Sequence, residues 1–307
     1  MAALAMPSIV NIDGALVPPG EARITVFDRG FLYGDSVYEV VRTYRGRPFE
    51  LSAHLRRLAH SAERIGLELA WEARRTEAEL GRTLEAARGE DPPDPGGAPW
   101  NAGERYARIV MTRGAGEIGL DPALAVDPKA IVIVQPLHAP PLAAYREGVK
   151  VCVVGVEHVP PRAVDPTAKT GNYLSHVLAL REARAQGAHE ALMLDRDGFV
   201  TEGTTSNVFA VRGGAVLTPP LGAGILEGVT RGIVLGLARE LGAPVREEPL
   251  RPRHLEEAAE VFVTSTAREV LPVTRLGDRP VGGGRPGPVT SRLHAAYRAR
   301  ADRLSPG

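Results

Sequence analysis

Apolar residues recur at Leu51, Leu55, Leu58, Ala62 and Ile65, a three/four spacing that predicts a helix over 51–65 with one buried face. His54, Arg57, Ser61 and Arg64 lie off that stripe. Further helices are predicted over 75–88, 229–241 and 288–304, and over 172–186, where Leu174, Val177, Leu178 and Arg181 keep helical spacing and Gly187 is the stop. Short apolar or alternating runs between them read as strands. Two flank Asp13-Gly14 within 8–17, and two flank Arg45-Gly46-Arg47 after the glycine- and aromatic-rich stretch 26–39. Others fall at 106–111, 130–137, 150–159, 190–194, 199–202, 207–211, 215–218, 245–250 and 260–264, with a pair near 273–281. Residues 91–103 and 113–122 read as loops. The segment 138–148, with Pro140-Pro141, reads as a linker between a small N-terminal domain (1–137) and a larger C-terminal one (149–307). Many hairpins interleaved with helices favour an α+β fold over a doubly wound parallel sheet.

Charge and composition remove several function classes. The formal net charge is zero, which is not the basic footprint of a nucleic-acid binder. No apolar run approaches the roughly 20 residues of a membrane span, and the first ten residues do not read as a signal peptide. The expectation is a cytoplasmic protein. The single cysteine, Cys152, excludes an intrachain disulfide and reads as a small buried hydrophobe. No Cys/His cluster has metal-ligand spacing, so no metal is expected.

One count adds chemistry. Of 37 basic residues only three are lysines: Lys129, Lys150 and Lys169. Guanidinium stays protonated and is a poor nucleophile, whereas a desolvated amine can lose its proton and form an imine. Lys129 and Lys150 stand at strand edges. Lys169, in Ala168-Lys169-Thr170-Gly171-Asn172-Tyr173, lies in a polar loop before a helix, where chemistry is often held.

An aldehyde cofactor bearing a phosphate needs an imine-forming amine, donors for the phosphate, an acid for a pyridinium nitrogen and a donor near the ring hydroxyl. Gly228-Val229-Thr230 opens a helix, Thr264-Ser265-Thr266-Ala267 ends a strand, and Arg57 is a plausible clamp. Glu202 ends a strand in Thr201-Glu202-Gly203-Thr204-Thr205-Ser206-Asn207, and Tyr173 follows Lys169 by four residues. Each also has a plain structural role, as helix cap, strand corner or solvated side chain. Tyr33, Tyr38 and Tyr44 fall close together, either as core and rim aromatics or as a pocket wall with hydroxyls at its tips.

Taken together, these pieces resemble the class IV (fold type IV) pyridoxal-phosphate aminotransferases. The resemblance runs from about Ile12 to Tyr297 and rests on His54-Leu55-Arg56-Arg57-Leu58, Lys169 to Tyr173, Thr201 to Phe209, Gly228 to Arg231 and Thr264 to Ala267. It implies a fold type IV enzyme of two α/β domains, usually a homodimer, with the cofactor between the domains. It implies Lys169 as the catalytic Schiff-base lysine and Arg57, Val229, Thr230, Thr266 and Ser265 on the phosphate. Glu202 would pair with the ring nitrogen and Tyr173 with the ring oxygen, with Ser206 and Asn207 also on the cofactor. Tyr33, Tyr38, Tyr106, Arg108, Thr266 and Ala267 match the substrate side, and Leu120 a loop residue that reaches the neighbouring subunit's pocket.

Substrate class is less uniform. Tyr38-Glu39-Val40 resembles the D-amino-acid enzymes, and the lysine motif is one residue shorter than the common branched-chain form. The Arg-x-His pair of bacterial D-amino-acid enzymes is missing from 106–122. The expectation is ping-pong transamination of a branched-chain L-amino acid with 2-oxoglutarate and glutamate. A D-amino-acid aminotransferase and an aminodeoxychorismate lyase are the alternatives within the family, and a non-catalytic phosphate-ligand binder the alternative outside it.

Overall fold

The computed structural model describes residues 8–89 and 96–304. Its first half builds one antiparallel sheet. The hairpin β1 (Ile9–Ile12) and β2 (Ala15–Val17) turns at Asp13-Gly14, and a short α1 (Arg29–Tyr33) leads into β3 (Ser36–Tyr44) and β4 (Arg47–Pro48). Helices α2 (Leu51–Arg64) and α3 (Ala73–Ala86) follow, then β5 (Arg105–Gly116) and β6 (Ala125–Pro136). The strands lie in the order β2-β1-β6-β5-β3-β4. Leu58 and Ala62 of α2 and Leu80 of α3 pack on Val37, Val41, Ile109 and Val132, so the predicted leucine stripe meets the sheet.

β5 runs past its predicted end into the 113–122 segment expected to be loop, and β6 begins at Ala125, five residues before its predicted start. The glycines that read as turn there bend a strand instead. The register shifts between Thr112 and Ala115, and Gly114 (φ 99°) comes so close to β6 that a Cβ would sit 2.0 Å from the Asp127 carbonyl oxygen.

The second half begins inside the expected linker. Within 138–148, α4 (Leu142–Glu147) buries Ala144 and Tyr145 in the second core, so only the proline-rich part is extended. There follow β7 (Val149–Glu157), α5 (Leu174–Ala185), β8 (Glu190–Leu194), β9 (Val200–Gly203), β10 (Asn207–Arg212), β11 (Ala215–Thr218) and α6 (Val229–Glu240). The chain ends with β12 (Val245–Glu247), α7 (Pro252–Glu256), β13 (Glu260–Ser265), β14 (Glu269–Leu276), β15 (Arg279–Pro280) and α8 (Pro288–Leu304). The order is β12-β11-β10-β13-β14-β7-β8-β9, with β15 on β14. β7 pairs in parallel with both β14 and β8, while β13 and β10 pair antiparallel. One all-antiparallel and one mixed sheet, with helices on their faces, make the α+β architecture expected.

Strand alternation sorts the second core into two faces. Val208 and Val261 face a cluster with Val151, Leu192 and Leu271; their neighbours Phe209 and Phe262 face α6 and α8, stacked 4.8 Å apart. Cys152 is buried against α5, as expected. α5 forms where the spacing predicts it, but the residues that mark the spacing are not its buried face. Ala179 and Ala183 face the sheet, while Leu174 and Val177 are 71% and 59% exposed. Small alanines let the helix lie close over β7 and β8, which turns the larger side chains outward. Two further differences are local: β12 is half its predicted length, and α7 begins on Pro252, a favoured helix-start residue in a stretch without a predicted helix. Residues 91–95 of the expected loop 91–103 lie outside the described residues, and Pro99–Asn101 forms a single helical turn.

Candidate active site

The loop before α5 belongs to the second half of the chain but is held by the first. Tyr38 N donates to Lys169 O at 2.9 Å, and Gly171 N to Ser36 O at 2.9 Å, so the loop lies along the free edge of β3. From α2, Ser61 Oγ accepts from Lys169 N at 3.0 Å. The Lys169 side chain is thereby aimed into a cavity of about 490 Å³ between the halves. Its Nζ donates to Tyr173 Oη at 3.0 Å and lies 4.5 Å from the centre of the Tyr38 ring. The other two lysines are ion-paired: Lys129 with Asp13 and Asp127, Lys150 with Asp278. Among the described residues Lys169 has no such partner.

Glu202 closes one wall. It sits at the end of β9, buried, and its Oε2 accepts from Leu226 N at 3.1 Å and from Asn207 Nδ2 at 3.3 Å. Asn207 also donates to Leu226 O at 3.0 Å, so it acts through Glu202. Ser206 lines the cavity, but its hydroxyl donates to Glu190 at 3.1 Å. Burial pushes the Tyr173 phenol up to about 12, with Glu202 adding to the rise, so Tyr173 stays a neutral donor.

A third wall gathers anion donors. Arg57 of α2 reaches Glu39 of β3 through two hydrogen bonds of 2.6 and 2.8 Å, and donates to Glu227 O at 2.7 Å. Burial works against both charges, but their attraction dominates: Arg57 is raised, and Glu39, also bonded to His54, falls to about 2. Beside Arg57 lie Gly228 and Thr230 at the start of α6, and Ser265 and Thr266 at the end of β13. Val229 starts α6 and does not itself line the cavity. A Cβ at Gly228 would lie 2.0 Å from Asn207 Oδ1. Thr264 Oγ1 is buried in this wall without a partner among the described residues.

Tyr38, Tyr106, Arg108 and Ala267 also line the cavity. The Arg108 guanidinium lies 3.8 Å from the centre of the Tyr38 ring. Tyr33 and Leu120 do not line this cavity. Tyr33 Oη accepts from Gly119 N at 3.2 Å, and Leu120 is 82% exposed. Of the three clustered tyrosines only Tyr38 forms pocket wall; Tyr44 is core, its hydroxyl on buried Glu269.

A sequence profile of the Amino-transferase class IV family matches residues 36–276. The chain belongs to the class IV aminotransferases. It is 36% identical over 289 residues to a putative branched-chain-amino-acid aminotransferase of Methanocaldococcus jannaschii, covering 94% of this chain and 95% of that one. It is 32% identical over 287 residues to a D-alanine aminotransferase of Bacillus licheniformis, covering 94% and 95%. Its fold matches the branched-chain aminotransferase of Thermoproteus uzoniensis solved with norvaline, at a TM-score of 0.84 and 32% identity over 95% of this chain and 94% of that one.

As a class IV aminotransferase the protein uses pyridoxal phosphate, and the donor set suits that group. A lysine amine with no acidic partner among the described residues and a hydrogen-bonded buried carboxylate line the same cavity. An arginine, a helix start without a Cβ and an orphaned threonine hydroxyl converge nearby.

Several residues that shape this site were missed in the sequence. Glu39 and His54 anchor Arg57, Leu226 fixes Glu202, and Arg268 pairs with Glu190 behind Ser206. A signal for the first two existed: His54, Arg57, Ser61 and Arg64 form a polar stripe at helical spacing, and Glu39, Lys169 N and Asp165 meet its members.

Proposed function

We propose that this enzyme transaminates branched-chain L-amino acids with 2-oxoglutarate and glutamate. The observation that carries the reading is Arg108 stacked on Tyr38 beside Lys169. One wall thus offers an aromatic face to an aliphatic side chain and a guanidinium to a distal carboxylate, as the two half-reactions require.

Pyridoxal phosphate, when bound, supplies an aldehyde for imine exchange and a conjugated ring that takes up the electron pair left on the substrate α-carbon. Arg57, the Thr230 and Thr266 hydroxyls and the backbone N–H groups of Val229 and Thr266 would hold its phosphate. Glu202 would keep a proton on the ring nitrogen, and Tyr173 would donate to the ring oxygen. Lys169 Nζ would take the proton from the substrate α-carbon and hold it for return. Holding Lys169 by its backbone on β3 and α2 leaves the side chain free for that transfer.

The same reading makes the enzyme a cytoplasmic homodimer of two-domain protomers, divided at 138–148. Supporting the dimer, Phe27, Phe31, Ile118 and Leu120 around one end of the small sheet are exposed, as are Leu174 and Val177 of α5. In a dimer Tyr33 and Leu120 would face the neighbouring site rather than their own. No helix among the described residues is long and apolar enough to cross a membrane.

The test is a set of half-reactions, following cofactor absorbance with L-leucine, L-glutamate, D-glutamate and D-alanine. Bleaching by both L-acids is expected. Bleaching by the D-acids alone would make this a D-amino-acid aminotransferase, the reading favoured by Tyr38-Glu39-Val40 and the D-alanine relatives. Pyruvate from aminodeoxychorismate without an amino acceptor would mark a lyase.

A further inference from the structure

Glu202 stands between two cavities. One is the large site between the halves; the other, about 80 Å³, lies behind the Lys169 loop and is bounded by His158, His176 and Pro166. The chain holds Oε2 firmly, through Leu226 N and Asn207 Nδ2. Oε1 has one protein partner among the described residues, His158 Nε2 at 3.4 Å. His158 is itself 6% exposed, and its ring meets His176 edge-on at 5.9 Å. His176, on the first turn of α5, stacks on Tyr173 at 4.5 Å. The two imidazoles and the carboxylate bring their ligating atoms within 4.8 Å of one another. Burial lowers the His176 pKa against the pull of Glu202, so its ring packs as a neutral imidazole.

We propose that His158, braced by His176, is a positioning residue that turns the Glu202 carboxylate toward the large cavity. The inference rests on Glu202 as the partner of the cofactor's ring nitrogen. Without His158, Oε1 would have no donor from the described residues, and the side cavity would give that end of the carboxylate room to tilt about its held Oε2. The brace runs through Tyr173, so one short path ties the ring-oxygen and ring-nitrogen partners together. No proton is transferred in this role. The requirement is a hydrogen-bond donor of the right length, which a glutamine amide can also supply.

The test compares His158→Leu, His158→Gln and Glu202→Gln by kcat and KM with L-glutamate, by melting temperature, and by calorimetric titration of stripped protein with pyridoxal phosphate. His158→Leu is expected to lower kcat about tenfold and weaken cofactor binding to a similar degree, with KM little changed; losing one hydrogen bond to a charged group has that size. His158→Gln is expected to recover most of both. Wild-type turnover and affinity in His158→Leu beside a crippled Glu202→Gln would overturn this inference alone. Loss of both in His158→Leu and His158→Gln together, with equally lowered melting temperatures, would mark a merely structural role and also overturn it. Wild-type values in Glu202→Gln would overturn the reading of Glu202 and this inference with it.

Discussion

Lys169 and Glu39 show how few atoms decide the site. The main chain around Lys169 is fixed by Ser36, Tyr38 and Ser61, while among the described residues its amine meets a phenol and two aromatic faces. Lys169→Ala and Lys169→Arg are both expected to cost more than about a thousandfold in the rate of cofactor bleaching by amino acid, because neither offers a base at the α-carbon. Stopped-flow absorbance checks this; retention of the half-reaction in Lys169→Arg would contradict the role. Glu39 has two tasks and is charged in both: it holds Arg57 in place and bonds His54. Glu39→Gln would leave the arginine without its buried counter-charge, at about 3 kcal/mol of stability, and loosen the phosphate wall. Its pH signature follows from a carboxyl held near 2 in the fold against an ordinary 4.5. That stabilisation is complete above about pH 4.5 and is lost as pH falls toward 2. Urea unfolding at neutral pH and near pH 3 should therefore separate wild type from Glu39→Gln more widely at neutral pH.

Helices differ in what their sequences disclose. The leucine stripe of α2 announces both the helix and its buried face, because only one neighbour, the small sheet, takes large side chains. Its opposite face is harder to read. Arg57 stands out as a clamp, but the role of Ser61 depends on a loop 108 residues away. α5 is legible as a helix but not in orientation, since periodicity locates a face without saying whether sheet or solvent lies against it. Here two alanines do the burying, and leucine and valine stay outside. If that outer face lies in a dimer contact, Leu174→Glu with Val177→Glu is expected to shift the protein from dimer to monomer in light scattering without lowering the helix signal. An unchanged mass would move the interface elsewhere. His158 and His176 are illegible for a related reason: 18 positions apart, on different elements, they converge only because the end of β7 and the start of α5 both meet Glu202. β5 is underestimated because Arg113-Gly114-Ala115-Gly116 carries turn residues for a bend within paired strands.

Across the molecule the halves are joined by charge as well as by the site. Arg42 of β3 meets Glu269 of β14 at 3.0 Å with both side chains fully buried, and Tyr44, His294 and Arg298 complete the cluster. Although burial opposes it, hydrogen bonding from His294 and the charges of Arg42 and Arg298 bring Glu269 to about 2. Glu269 also adopts a left-handed backbone (φ 58°) just after the Thr266-Ala267 corner, so the anchor and the anion wall share one turn. Arg42→Met is expected to lower stability by about 3 kcal/mol in denaturant unfolding and to raise KM for the amino donor, because the corner loses its fixed partner.

The β3 edge that carries the Lys169 loop has a dynamic consequence. Swinging the halves apart would peel two backbone hydrogen bonds from that edge and pull Arg42 off Glu269 in the same movement. Such a hinge would dismantle the reactive centre each time it opened. Turnover is therefore compatible with a static frame, in which amino acids and oxo acids exchange past the Pro140-Pro141 rim while the sheets keep their relative position. Amide hydrogen exchange at Tyr38 and Gly171 would then stay slow through catalysis, and the enzyme's rhythm would be set by its mouth rather than its spine.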